Sequence, residues 1–175
     1  MNVYSVSTLA YRQTPEHRAA LELPRHARRP GRYHDRGDLS PLYASSTPAA
    51  AMSEFLRQVA RGDLSFSADD ARRLSTLELP SDRLLDLMDP EVCSTEGVTY
   101  DQLVGEDTGI TRALAQRTSA KGAVIGLRAP SAAMQGAITF VVFGRHLQQV
   151  VLTEERTVRI LDYLDPPART QEQRR

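Results

Sequence analysis

From position 48 to about 61, apolar side chains recur at Met52, Phe55, Leu56 and Val59, spacings of three and four that form one helical stripe. Thr47 and Pro48 precede the stripe as an N-cap and a first-turn proline whose missing N–H costs nothing, and Gly62 suits a C-terminal stop. The pattern becomes continuous at Ile138-Thr139-Phe140-Val141-Val142-Phe143, which predicts a buried strand, and residues 122–127 read the same way. Weaker alternation predicts strands over 2–7, through Val3, Tyr4 and Val6, and over 73–79, 148–152 and 158–161. Residues 31–34 and 41–45 are strand candidates separated by Asp35-Arg36-Gly37-Asp38, whose residue types favour a tight turn, so a hairpin is predicted.

Two further helices are predicted, a short one over 81–88 that ends before Pro90 and another from Thr108 or Thr111 to Arg117. Residues 11–30 show no steady period beyond one helical turn over 15–23 started by Thr14, so this stretch reads as irregular and lid-like. Residues 91–107 are turn-rich, and 166–175 form a polar tail. Strands and helices mix without strict alternation, which argues for an α+β fold, and 175 residues suit one domain.

Composition narrows the function classes. Apolar residues make up 41% and charged residues 25%, so a packed core is within reach. No apolar run approaches the roughly 18 residues of a spanning helix, and the N-terminus lacks the flank of a signal peptide, which predicts a cytoplasmic protein without membrane contact. One cysteine, Cys93, allows neither an internal disulfide nor a Cys-rich zinc site, so no metal is expected. None of His17, His26, His34 or His146 is placed beside Cys93 by a local pattern, and it reads as a structural thiol.

Formal net charge is zero, yet Arg12, Arg18, Arg25, Arg28, Arg29, Arg32 and Arg36 crowd one segment against Glu16, Glu22 and Asp35. Lys121 is the only lysine, so nearly all positive charge sits on guanidinium groups, which grip phosphate or carboxylate bidentately. With zero net charge and few aromatics near these arginines, Tyr33 and Tyr43 among them, a direct nucleic-acid surface ranks last. Phosphate loops ending in Gly-Lys-Ser/Thr, G-x-G-x-x-G, H-E-x-x-H and G-x-S-x-G are all absent.

What remains is the stretch from Gly31 to Glu54, which sets Arg, Tyr and Glu at neighbouring element boundaries. If Arg32 and Tyr43 sit on paired strands, their side chains reach one end of the sheet. Glu54 lies in the second turn of the next helix, above the small residues Thr47, Ala50 and Ala51, and looks back toward Tyr43. The same spacing also suits a solvated glutamate, a rim tyrosine and a surface arginine.

The ordered set Gly31-Arg32-Tyr33-His34, Leu42-Tyr43-Ala44-Ser45, Ala49-Ala50-Ala51-Met52-Ser53-Glu54 and Ala129-Pro130-Ser131 resembles the RES domain, a family named for its Arg, Glu and Ser residues and found as toxins of bacterial toxin–antitoxin pairs. The family often carries Arg after the aromatic of its first strand; with that strand over 2–7, Tyr4 is followed by Ser5. Its usual tryptophan after the turn arginine is Tyr33 here. The resemblance implies the ADP-ribosyltransferase fold over residues 1–165, with NAD as substrate and cleavage of the nicotinamide–ribose bond. ADP-ribose would pass to phosphate, water or a protein.

On that resemblance, Glu54 stabilises the developing ribose cation, Arg32 holds an NAD phosphate, Tyr43 flanks the nicotinamide, and Ser131 bonds the ligand or orders the site. Tyr33, His34 and Arg36 complete the expected binding set. The resemblance also implies a cognate helix-turn-helix antitoxin that covers the cleft, and leaves homo-oligomerisation open. The competing reading is a RES-like interaction module that binds a nucleotide or protein without turnover.

Overall fold

Strand pairing at residues 7–15 decides the architecture. The computed structural model describes residues 6–62, 67 and 70–164. The first strand, β1 (Ser7–Pro15), pairs antiparallel along its whole length with β3 (Ala71–Pro80), from Ser7 opposite Pro80 to Pro15 opposite Arg72. With β2 (Leu42–Ser45), β4 (Leu84–Asp86), β5 (Gly126–Pro130), β6 (Ile138–Val142) and β7 (Val151–Arg159) it builds one seven-stranded sheet ordered β4-β5-β6-β2-β1-β3-β7. Every neighbouring pair is antiparallel except β4 with β5.

The apolar run of β6 is continuous because both faces of the sheet are covered. Val142 packs with Leu42, Leu77, Leu79 and Ile125 on one side, while Val141 packs with Leu87, Leu103, Leu114 and Leu127 on the other. The second face is closed by α3 (Tyr100–Val104) and α4 (Gly109–Lys121), preceded by α2 (Pro90–Glu96). Helix α1 (Pro48–Ala60) follows β2 and buries Met52 and Phe55 against Ile160, just before α5 (Leu161–Leu164). A mixed sheet with flanking helices is the α+β class that the irregular element order predicts.

Several elements differ from the sequence expectations. The first strand lies at Ser7–Pro15 rather than 2–7, so the supposedly irregular stretch begins with five strand residues; residues 1–5 lie outside the described residues. Pairing to β3 overrides the Arg-rich composition, and Ala10 and Thr14 alternate inward. Residues 31–34 form no strand: the Gly31 N–H donates to the His34 carbonyl at 2.9 Å and closes a turn instead. Between residues 81 and 88, only Ser81–Arg83 is a short 3₁₀ turn; β4 follows, because Leu84 and Leu87 must enter different core clusters.

The turn-rich stretch 91–107 contains α3 and all but the first residue of α2, capped by Thr99 and Asp89. The strand expected over 122–127 is shifted to Gly126–Pro130. The two last predicted strands merge into β7, whose Glu154-Glu155-Arg156 centre hides the strand pattern because this edge is mostly exposed. The polar tail over 166–175 lies outside the described residues. Among the described residues no helix is long and apolar enough to cross a membrane.

Candidate active site

Helix α1 begins as its sequence dictates: Thr47 Oγ1 accepts from the Ala50 N–H at 3.1 Å and Pro48 opens the first turn. With Met52 and Phe55 turned into the core, Glu54 is left half-buried on the flank that borders a cleft of about 660 Å³. Volumes of this order suit a sizeable organic ligand. Ser131, buried just after β5, donates its hydroxyl to Glu54 Oε1 at 3.2 Å. The same Oγ accepts from the N–H groups of Ala133 and Met134, both at 3.2 Å, so its proton is directed at the carboxylate. Ser131 thus orients Glu54 from behind and is not among the residues that line the cleft.

Opposite Glu54, the 31–34 turn delivers three side chains to three different places. The Arg32 guanidinium lines the cleft, and its Nη1 donates to the carbonyls of Leu103 at 3.0 Å and Gly105 at 2.7 Å. Its Nη2 is buried without a hydrogen-bond partner among the described residues, and burial holds this arginine below its ordinary pKa. The Arg32 carbonyl accepts from Thr111 Oγ1 at 2.6 Å, which fixes the turn to α4. Tyr33 reaches the cleft wall, but its ring is buried among Leu87, Val98 and Leu103, so it serves mainly as core. Arg36 is exposed on the following turn and is not part of the cleft lining.

His34 and Tyr43 form a coupled pair. His34 Nε2 lies 3.1 Å from the Arg29 carbonyl, which can only accept, so Nε2 carries the proton and Nδ1 presents a lone pair. Tyr43 Oη, 2.8 Å from Nδ1, donates to it and accepts from the Tyr33 N–H at 3.1 Å. Burial pushes the Tyr43 phenol up and the His34 imidazole down, so both stay neutral near pH 7. His34 therefore positions the Tyr43 ring.

Gly31 is required for that approach, because a Cβ there would lie 2.2 Å from His34 Cε1, 2.6 Å from Nδ1 and 3.1 Å from Tyr43 Oη. Gly31→Ala is expected to break the His34–Tyr43 bond, because the added Cβ needs the space the imidazole occupies. The His34 ring NMR signals check this; signals unchanged from wild type would disprove the coupling.

Charge converges on the cleft. The carboxylate of Glu54 acts electrostatically on Arg32, Tyr33 and Tyr43. Further walls come from Arg12, Arg57, Arg61, Glu106 and Arg112, none of which the sequence patterns single out for the site. Arg12 is the informative omission. Its Nε donates to the Ala20 carbonyl and its Nη1 to the Tyr43 carbonyl, both at 2.9 Å, and burial, followed by repulsion from Arg18, pushes its pKa down to about 10. Tyr11-Arg12 in β1 is an aromatic followed by Arg on the first strand, the RES pattern that a strand over 2–7 assigns to Tyr4-Ser5. The signal was present seven residues further along.

The RES-domain family model matches residues 3–163. A probable NAD(+) phosphorylase of Mycobacterium tuberculosis is 33% identical over 125 residues, which cover 71% of this chain and 58% of that protein's length. A chain in the crystal structure of the M. tuberculosis MbcT–MbcA toxin–antitoxin complex superposes with a TM-score of 0.76 at 22% identity, covering 92% of this chain and 89% of the other. That likeness extends the shared fold over nearly the whole molecule. With a family match across almost the entire chain, the chain belongs to the RES-domain family.

Proposed function

We propose that this chain cleaves NAD at the nicotinamide–ribose bond and transfers ADP-ribose to inorganic phosphate, as the toxin of a pair with a helix-turn-helix antitoxin in the cytoplasm. The observation that carries the reading is the placement of Glu54, oriented by Ser131, in one cleft with Tyr43 and Arg32. When the glycosidic bond breaks, its electron pair leaves with neutral nicotinamide and positive character develops on the ribose. A carboxylate held beside that carbon stabilises the charge, and a guanidinium holding a phosphate keeps the reacting bond in place. Tyr43, kept neutral and braced by His34, offers its ring as a flank for the nicotinamide.

The M. tuberculosis relative is named for NAD phosphorylase activity, which supports phosphate as the acceptor over water or protein, although this chain spans only 58% of that relative. The complex containing the structural neighbour supports the antitoxin partner. The test is nicotinamide release by the pure protein with and without phosphate. We expect release that rises with phosphate, with ADP-ribose 1″-phosphate as product. Nicotinamide release independent of phosphate would remove the acceptor assignment, and no release by folded protein would remove the reaction.

A further inference from the structure

At the mouth of the cleft, α1 presents Arg57 and Arg61 one helical turn apart, and both guanidiniums close on a single carboxylate from a distant loop. Arg57 Nη2 donates to Glu106 Oε1 at 3.0 Å and Arg61 Nη2 to Glu106 Oε2. Glu106 lies in the connection between α3 and α4, directly after Gly105, whose carbonyl is held by Arg32. The backbone of this strap is thus fastened on the Arg32 side, and its side chain reaches across to α1. The Glu106 side chain is 78% exposed, against 20% for Arg57 and 41% for Arg61.

Two facts argue that this bridge is more than surface decoration. The carboxylate end of the bridge is exposed, and ion pairs open to water at one end are screened and add little to stability. Meanwhile Arg57 repels Arg32, and all three guanidiniums act on Glu106, which makes the corner an anion site whose present anion belongs to the chain itself. Glu106 is also the cheapest group to release, because its carboxylate is accessible to water on leaving.

The geometry points to Arg57 and Arg61 as a phosphoryl-binding subsite at the cleft mouth, with Glu106 as the internal anion that a phosphorylated ligand displaces. The choice of a phosphoryl group rests on reading the cleft as an NAD site, and it fits the planar guanidinium, which pairs bidentately with phosphate oxygens. That group has two possible sources, the dinucleotide or free inorganic phosphate. The exchange forms and breaks no covalent bond: two charge-assisted contacts pass from carboxylate to phosphoryl oxygen.

Calorimetric titration of the full chain with ADP, and separately with inorganic phosphate, tests this in wild type, Glu106→Gln and the double variant Arg57→Gln/Arg61→Gln. Removing the competing carboxylate is expected to tighten one probe about ten-fold, and removing both guanidiniums to weaken it by at least about as much. A response to ADP assigns the subsite to the dinucleotide, and a response to phosphate alone assigns it to the acceptor. Equal affinities of Glu106→Gln and wild type for both probes, or no binding of either by any form, overturn the subsite. Nicotinamide release is scored in parallel. Normal cleavage with unshifted binding discards the subsite and spares the reaction; shifted binding without cleavage does the reverse.

Discussion

On the proposed NAD-cleaving reaction, Glu54→Gln is expected to lower nicotinamide release about a thousand-fold while leaving the protein folded. The expectation follows from what the substitution keeps and what it removes. A glutamine side-chain carbonyl still accepts from Ser131 Oγ, has nearly the same volume, and stays on the half-buried flank of α1, so stability should move by no more than about 0.5 kcal/mol. What disappears is the negative charge that, in the proposed reaction, faces a ribose turning cationic in the transition state. Loss of one preorganised electrostatic contact costs about 10² to 10³ in rate, and loss of the group that also orients the reacting ribose places the effect at the upper end. The measurement is single-turnover nicotinamide release with a melting curve on the same sample. A folded variant that retains release within about ten-fold of wild type removes Glu54 from the reaction centre.

The segment that carries Glu54 was the most legible part of the chain. Thr47-Pro48 fixes where α1 starts, Met52 and Phe55 fix which face is buried, and these together leave Glu54 on the cleft side. Tyr43 was legible because its strand is short and apolar between turn residues. Arg32 reached the same cleft by a route that pattern could not supply. It sits on a turn rather than a hairpin strand and is held by the carbonyls of Leu103 and Gly105, more than seventy residues away.

Arg12 was hidden for a different reason. Its strand contains Arg and Gln and shows little hydrophobic contrast, since only Ala10 and Thr14 are buried along it. The ladder to β3 supplies the order that the composition withholds. The Arg57–Glu106–Arg61 bridge lies beyond any local reading, because it joins α1 to a loop on the far side of β3, α2 and α3.

Gly126→Ala carries the largest expected loss of stability. Gly126 opens β5 opposite Val142, and a Cβ built on it would lie 2.0 Å from the Val141 carbonyl oxygen, 3.0 Å from Val141 C and 3.0 Å from Val142 Cα. All three atoms are backbone of β6, so no rotamer change relieves the contact; the strands must separate. That separation works against the most buried part of the sheet, where Leu127, Ala129, Val141 and Val142 are essentially inaccessible. Overpacking in a core costs about 1 to 3 kcal/mol even when side chains can yield, and with only backbone to displace we expect about 3 kcal/mol or more. For a chain of this length that corresponds to a fall in Tm of about 6 to 12 °C, measurable by thermal or urea unfolding.

The damage should reach the cleft as well. The far end of β5 leads into Ser131, so a displaced β5 withdraws the hydroxyl that orients Glu54, and turnover per folded molecule should fall along with stability. A Gly126→Ala protein that melts within about 2 °C of wild type would show that β5 and β6 are spaced more widely than their register implies.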